Sequence, residues 1–235
     1  MVNILRCFVF KLSDFSAVIF DMDGLVLDTE PTYFKAWQQA ALAMGYSLSA
    51  DFCESLSGLH YQAVTEQLLR HCGTDFNLQR FNKHSGLYWH EHINRHGITI
   101  RPGFNELLET LLQLDIPYCL ATNSSAINAR ECLSFANLDH VFSIIISRDD
   151  VINGKPAPDI FLKAADILNI PIQQCLVLED SHSGIVAAKS AGAYAVWIPA
   201  TNTIDPVTLS LCDTKMNSLV DIIGLYPPPC SSRQQ

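Results

Sequence analysis

The chain has 235 residues, 49% of them apolar, and a formal net charge of −9. That length suits one large domain or a domain with a sizeable insertion, and the apolar share is enough for an ordinary globular core. The acidic balance leaves no basic footprint for nucleic acid, and no stretch approaches the ~20 apolar residues of a membrane span.

Met1 to Phe10 has one Arg and a short apolar patch. It lacks a long apolar region followed by a small-residue cleavage site, so no signal peptide is expected. The eight cysteines (Cys7, Cys53, Cys72, Cys119, Cys132, Cys175, Cys212 and Cys230) form no CxxC pair. Free, mostly buried thiols in a reducing cytosol account for them better than disulfides or zinc, and a cytoplasmic location is expected.

Ala17-Val18-Ile19-Phe20 reads as a buried strand. It runs into Asp21-Met22-Asp23-Gly24, which places carboxylates at i and i+2 at its carboxyl end. Ligands bind along that edge in open α/β sheets, although Asp and Gly also mark ordinary turns. Thr29 then caps a helix in which Tyr33, Phe34, Trp37, Ala41 and Met44 recur at helical spacing until Gly45. Further helices are expected over Ala50–Leu56, Tyr61–Cys72 and Leu78–Asn94, with no strand before Gly97.

From Ile100 onward strands and helices alternate. Strands are predicted over Pro117–Ala121, Val141–Ile146, Cys175–Leu178 and Tyr194–Ile198. Helices are predicted over Phe104–Leu114, Ser125–Phe135, Pro158–Leu168 and Ser183–Ala191. Repeated β-α units imply an α/β fold with a doubly wound parallel sheet. The helical stretch is then an insertion after the first strand. The expected division is a Rossmann-like core over 1–28 and 98–225, a helical cap over 29–97, and a tail over 226–235.

Three later loops add chemistry at strand ends. Thr122-Asn123-Ser124-Ser125 offers hydroxyls and N–H groups at a helix start, a pattern that serves as an anion site or as plain capping. Gly154-Lys155-Pro156-Ala157-Pro158-Asp159 holds one Lys between rigid prolines. Leu176-Val177-Leu178 ends in Glu179-Asp180-Ser181. Asp21, Asp23, Glu179 and Asp180 together would repel unless a cation sits among them, and hard oxygen ligands favour Mg²⁺. An anion held by Thr122, Lys155 and the metal would be a phosphoryl group.

These segments resemble the haloacid dehalogenase-like superfamily, in the branch with a small helical cap that includes β-phosphoglucomutases and sugar phosphatases. Asp21 to Glu30 stands as its DxDGxxxDTE motif, Thr122 as its second motif, Lys155 as its third and Glu179-Asp180 as its fourth, and the resemblance covers about Ala17 to Pro199. It implies phosphoryl transfer through an aspartyl-phosphate, with Asp21 as nucleophile and Asp23 as acid and base. Mg²⁺ would be held by Asp21, the Asp23 carbonyl and Asp180, with Glu179 supporting. Thr122, the backbone at Asn123, and Lys155 would hold phosphate oxygens.

An acid at Asp23 favours phosphate esters over dehalogenation, because halide leaves without a proton. The mutases that resemble this chain carry a cap Arg three residues after a Gly. Here the segment is Gly58-Leu59-His60-Tyr61, with Tyr61 at that place, and Tyr33 stands where they carry a His. Gly58, His60 and Tyr61 are therefore candidates for substrate specificity. The phosphonatase cap Lys is also replaced by Tyr61. The resemblance thus implies a phosphatase acting on a small phosphorylated metabolite, plausibly a sugar phosphate, with no nucleic-acid or membrane partner. A phosphosugar mutase and a non-catalytic phosphometabolite-binding protein are the alternatives. A monomer is the favoured state. His92 and His96, four apart near His90-Glu91, read as a polar helix face rather than a zinc site.

Overall fold

The computed structural model describes residues 10–56, 61–201 and 204–224. Six parallel strands form the central sheet: β1 (Ala17–Phe20), β4 (Tyr118–Ala121), β5 (Ile145–Ile146), β6 (Cys175–Glu179), β7 (Tyr194–Trp197) and β8 (Thr214–Lys215), in the order β5-β4-β1-β6-β7-β8. β1 lies between β4 and β6, with Phe20 opposite both Leu120 and Leu178. Every residue of β1 is buried, as a parallel strand covered on both faces requires.

The alternation of a strand separates two cores. Val18, Phe20, Leu120, Leu176 and Leu178 face one side. There they pack on α5 (Phe104–Gln113), α6 (Ala126–Phe135) and α10 (Leu219–Gly224) through Phe104, Leu107, Leu133 and Ile222. Ala17, Ile19, Cys119, Ala121 and Val177 face the other side, onto α7 (Asp159–Leu168) and α8 (His182–Ala191). α8 lies close to the sheet because Gly184 lacks a side chain: a Cβ there would stand 1.8 Å from the Glu179 carboxyl carbon.

Between β1 and β4 the chain builds a helical layer from α1 (Glu30–Leu42), α2 (Ala50–Glu54), α3 (Tyr61–Cys72) and α4 (Leu78–His96). Ala40, Ala41, Leu48, Cys53, Leu68, Phe76 and Phe81 form its own apolar cluster. A two-stranded antiparallel ribbon leads in and out of this layer. In it β2 (Leu27–Asp28) pairs with β3 (Thr99–Ile100), setting Leu27 opposite Ile100.

The parallel sheet and α/β class expected from the sequence are present. The predicted strand over Val141–Ile146 contracts to Ile145–Ile146. The sequence reading carries no ribbon, and nothing past Ile198. There the structure adds α9 (Pro206–Leu211), β8 and α10. Thr29 does stand before α1, but its hydroxyl makes no cap hydrogen bond and donates instead to Asp23. Among the described residues six cysteines are free thiols, and Cys53, Cys119, Cys132 and Cys175 are buried. No described helix is long and apolar enough to cross a membrane.

Candidate active site

The four sequence segments meet at the carboxyl edge of the sheet. Asp21 continues β1, its N–H donating to the Leu178 carbonyl of β6 at 3.0 Å. Gly24 turns the chain with φ +82°, and its N–H donates to Leu27 O at 2.8 Å. A Cβ at Gly24 would lie 2.0 Å from Asp180 Oδ2, so only glycine meets both demands here. Thr122 leaves β4 with its N–H bonded to Ile146 O at 2.9 Å. Glu179 ends β6, and Ser181 caps α8, accepting from Gly184 N–H at 3.1 Å.

Lys155 is the hub. Its ammonium is buried and donates to Asp21 Oδ1, to Glu179 Oε1 at 2.6 Å and to Ala121 O at 2.9 Å, so its three protons are all engaged. The loop carrying it is clamped by Asn123, whose Oδ1 accepts from Lys155 N–H at 2.9 Å and whose Nδ2 donates to Lys155 O at 3.1 Å. Glu179 is itself satisfied on its other oxygen by the Ser181 N–H and hydroxyl, at 3.0 and 2.9 Å.

Asp23 is held independently. Thr29 donates to Oδ1 at 2.8 Å, and Ser124 and Thr122 donate to Oδ2 at 2.9 and 3.5 Å. Behind Ser124, Asn128 Nδ2 donates to the Ser124 hydroxyl at 3.3 Å and to the Tyr33 hydroxyl at 3.4 Å. Sequence reasoning placed Ser124 in a hydroxyl cluster without a role and read Thr29 as a cap. Ser181 and the Asn123 side chain went unassigned. Their signal was position alone: a hydroxyl or amide one to three residues from a motif residue.

Charge in this cluster is unbalanced. Burial opposes the Lys155 charge, but Asp21 and Glu179 outweigh it and hold the ammonium protonated. For Asp21 the balance runs the other way: burial, with Glu179 and Asp23 nearby, pushes it up to about 8 despite Lys155. Asp180 is raised well above the usual carboxylate range by burial and by Glu179 and Asp21. Burial raises Asp23 too, against the hydrogen bonds from Thr29 and Ser124. One lysine therefore serves an excess of carboxylates, which is the condition a bound cation relieves.

Asp21, Glu179 and Asp180 each bring a carboxylate oxygen within 4.8 Å of the others. An all-oxygen set of this kind fits Mg²⁺. Since Lys155 and Ser181 already occupy the Glu179 oxygens, Asp21 and Asp180 are the better-placed donors. Of the cap candidates, Gly58 and His60 lie outside the described residues, and Tyr61 opens α3.

The sequence profile of the haloacid dehalogenase-like hydrolases matches residues 18–198. The chain belongs to this family. Among its haloacid dehalogenase-like relatives, the Thermotoga maritima phosphorylated carbohydrates phosphatase is 34% identical over 184 residues, covering 77% of this chain and 83% of that one. The Bacillus subtilis β-phosphoglucomutase is 32% identical over 188 residues, covering 77% and 82%. The crystal structure of an Entamoeba histolytica HAD hydrolase of family IA, variant 3, superposes with a TM-score of 0.74 at 28% identity, covering 89% of this chain and 98% of that one.

Proposed function

We propose that the protein is a Mg²⁺-dependent phosphatase that hydrolyses a small phosphorylated metabolite, of the sugar-phosphate class, through an aspartyl-phosphate on Asp21. The observation that carries this reading is the pairing of Asp21 with buried Lys155 beside an Asp23 that accepts from the Thr29, Ser124 and Thr122 hydroxyls. An Asp21 oxygen attacks phosphorus in line while the ester oxygen departs and takes the proton from Asp23. The raised Asp23 suits that role, because the proton is retained closer to neutral pH. In the second half Asp23 accepts a proton from the attacking water, phosphate leaves, and Asp21 is regenerated. Thr122 and the Asn123 backbone bind phosphate oxygens, and Lys155 joins them by exchanging one of its three protein contacts for a phosphate oxygen. Asp21, Asp180 and the Asp23 carbonyl, with Glu179 in support, would hold Mg²⁺, which when bound would shield the repulsion between carboxylate and phosphate.

Similarity to a β-phosphoglucomutase makes mutase the competing reading. Hydrolysis is preferred because Tyr33 and Tyr61 stand where such mutases carry His and Arg. The deciding experiment measures phosphate release from a metabolite panel, with and without Mg²⁺, for the wild type and Asp21→Asn. Release that needs Mg²⁺ and is lost in the variant is expected, and undiminished turnover in Asp21→Asn removes the proposed nucleophile. Activation by a bisphosphate, with isomerised product exceeding free phosphate, would decide for the mutase.

A further inference from the structure

Asp180 is the single residue between the end of β6 at Glu179 and the cap of α8 at Ser181. It belongs to neither the strand ladder nor the helix, and among the described residues no main-chain N–H donates to its carbonyl. The partner comes from β7 instead, where the Trp197 indole Nε1–H donates to Asp180 O at 2.7 Å. Trp197 is only 3% exposed, and a buried indole has a donor to place and no acceptor to offer.

Three observations make this bond more than a satisfied donor. Trp197 stands opposite Glu179 in the β6–β7 register and opposite Lys215 on β8, so the strand that carries the indole is fixed on both sides. On its other flank Asp180 meets Gly24: a Cβ there would lie 2.0 Å from Asp180 Oδ2, so the carboxylate is seated against the turn that follows Asp21 and Asp23. Finally, Asp21, Asp23 and Glu179 are held by hydrogen bonds made to their carboxylates. The indole holds Asp180 through its main chain and takes neither carboxylate oxygen. A donor on the carboxylate would compete with a cation for the same lone pairs. A donor on the carbonyl fixes where the side chain starts and leaves those lone pairs alone.

We infer that Trp197 is a positioning residue for the cation site: it pins the Asp180 main chain so that the carboxylate already stands with those of Asp21 and Glu179 before an ion binds. Those three bring oxygens within 4.8 Å of one another. The inference rests on the Mg²⁺ reading above and adds to it a residue that acts through Asp180 alone. A group ordered in advance costs nothing to order at binding. Loss of the indole N–H should therefore weaken Mg²⁺ affinity and leave the rate at saturating Mg²⁺ nearly unchanged.

The test titrates metal-free wild type and Trp197→Phe with MgCl₂ by calorimetry. The variant keeps an aromatic ring in the core and removes the N–H. Its Kd for Mg²⁺ is expected to rise about tenfold, as loss of a partner behind a metal ligand does, and its kcat should return to within about twofold of wild type once Mg²⁺ is saturating. Ile198→Val is the control for packing: it thins the same strand's core contact and leaves the indole bond in place, so its melting temperature should fall while its Kd stays within about twofold. A second measurement keeps the bond and stands even if Trp197→Phe does not fold. Trp37→Phe with Trp89→Phe leaves Trp197 as the sole tryptophan of three, and its emission should change with Mg²⁺ at a midpoint that matches the calorimetric Kd. An unchanged Kd in Trp197→Phe, an equal weakening in Ile198→Val, a rate loss that Mg²⁺ does not restore, or an emission silent to saturating Mg²⁺ would each overturn the assignment. A wild type that binds no Mg²⁺ and turns over equally without it would remove the cation reading itself.

Discussion

At the carboxyl edge of the sheet, Asp21, Asp23, Glu179 and Lys155 are each tied to named partners. Across the cleft, α4 buries the Ser85 hydroxyl with none. The first arrangement holds its groups before any ligand arrives, as electrostatic catalysis requires. The second leaves a donor unpaired. The groups at the sheet edge are set by the fold alone, while the helical layer leaves one buried hydroxyl unsatisfied.

The contrast can be broken most severely at its charged end. Asp21→Asn is expected to lower phosphate release by at least about a thousandfold, as loss of a nucleophile does. Steady-state kinetics check this, and a residual rate within tenfold of wild type would defeat it. Lys155→Met should destabilise by about 3–5 kcal/mol, because it leaves Asp21 and Glu179 buried without their shared cation, which a denaturant titration will show. Gly184→Ala should act at a distance. Its methyl group collides with Glu179, so Lys155 shifts and activity falls although no catalytic group has changed. A crystal structure of that variant with Glu179 unmoved would contradict this.

Metal and pH sharpen the same comparison. Burial pushes Asp21 up to about 8 against 3.8 ordinarily, so between those values the folded protein holds a proton that the unfolded chain has lost. The stability associated with that proton is complete below about pH 4 and declines as pH rises toward 8. A cation displaces the proton, so the rise in melting temperature on adding Mg²⁺ should be larger at pH 8 than at pH 5. A rise equal at both pH values would reject it. The smallest effect belongs to the helical layer: Gly86→Ala should stabilise by about 1 kcal/mol, through helix propensity with no clash.

The sheet and its edge were legible because they rest on runs and punctuation. Ala17–Phe20 and Cys175–Leu178 are apolar stretches that end in acids, and Lys155 stands between prolines. The ribbon of Leu27–Asp28 with Thr99–Ile100 was not, since two residues carry no periodicity and the pairing joins segments over 70 positions apart. Thr29 was read as a cap because local sequence favours that use. Only the tertiary placement of Asp23 diverts the hydroxyl. The Asn128 link and the Ser85 gap depend on how α1, α4 and α6 meet, which no local pattern encodes.

That short ribbon has a bearing on ancestry. With Leu27 opposite Ile100, the chain leaves the sheet and returns to it at points only about 5 Å apart. A segment whose ends lie so close can be shortened, lengthened or exchanged for another without disturbing the order of β1, β4 and β6. The helical layer is thus attached like an interchangeable head on a fixed handle, and a lineage could exchange the head while inheriting the handle unaltered.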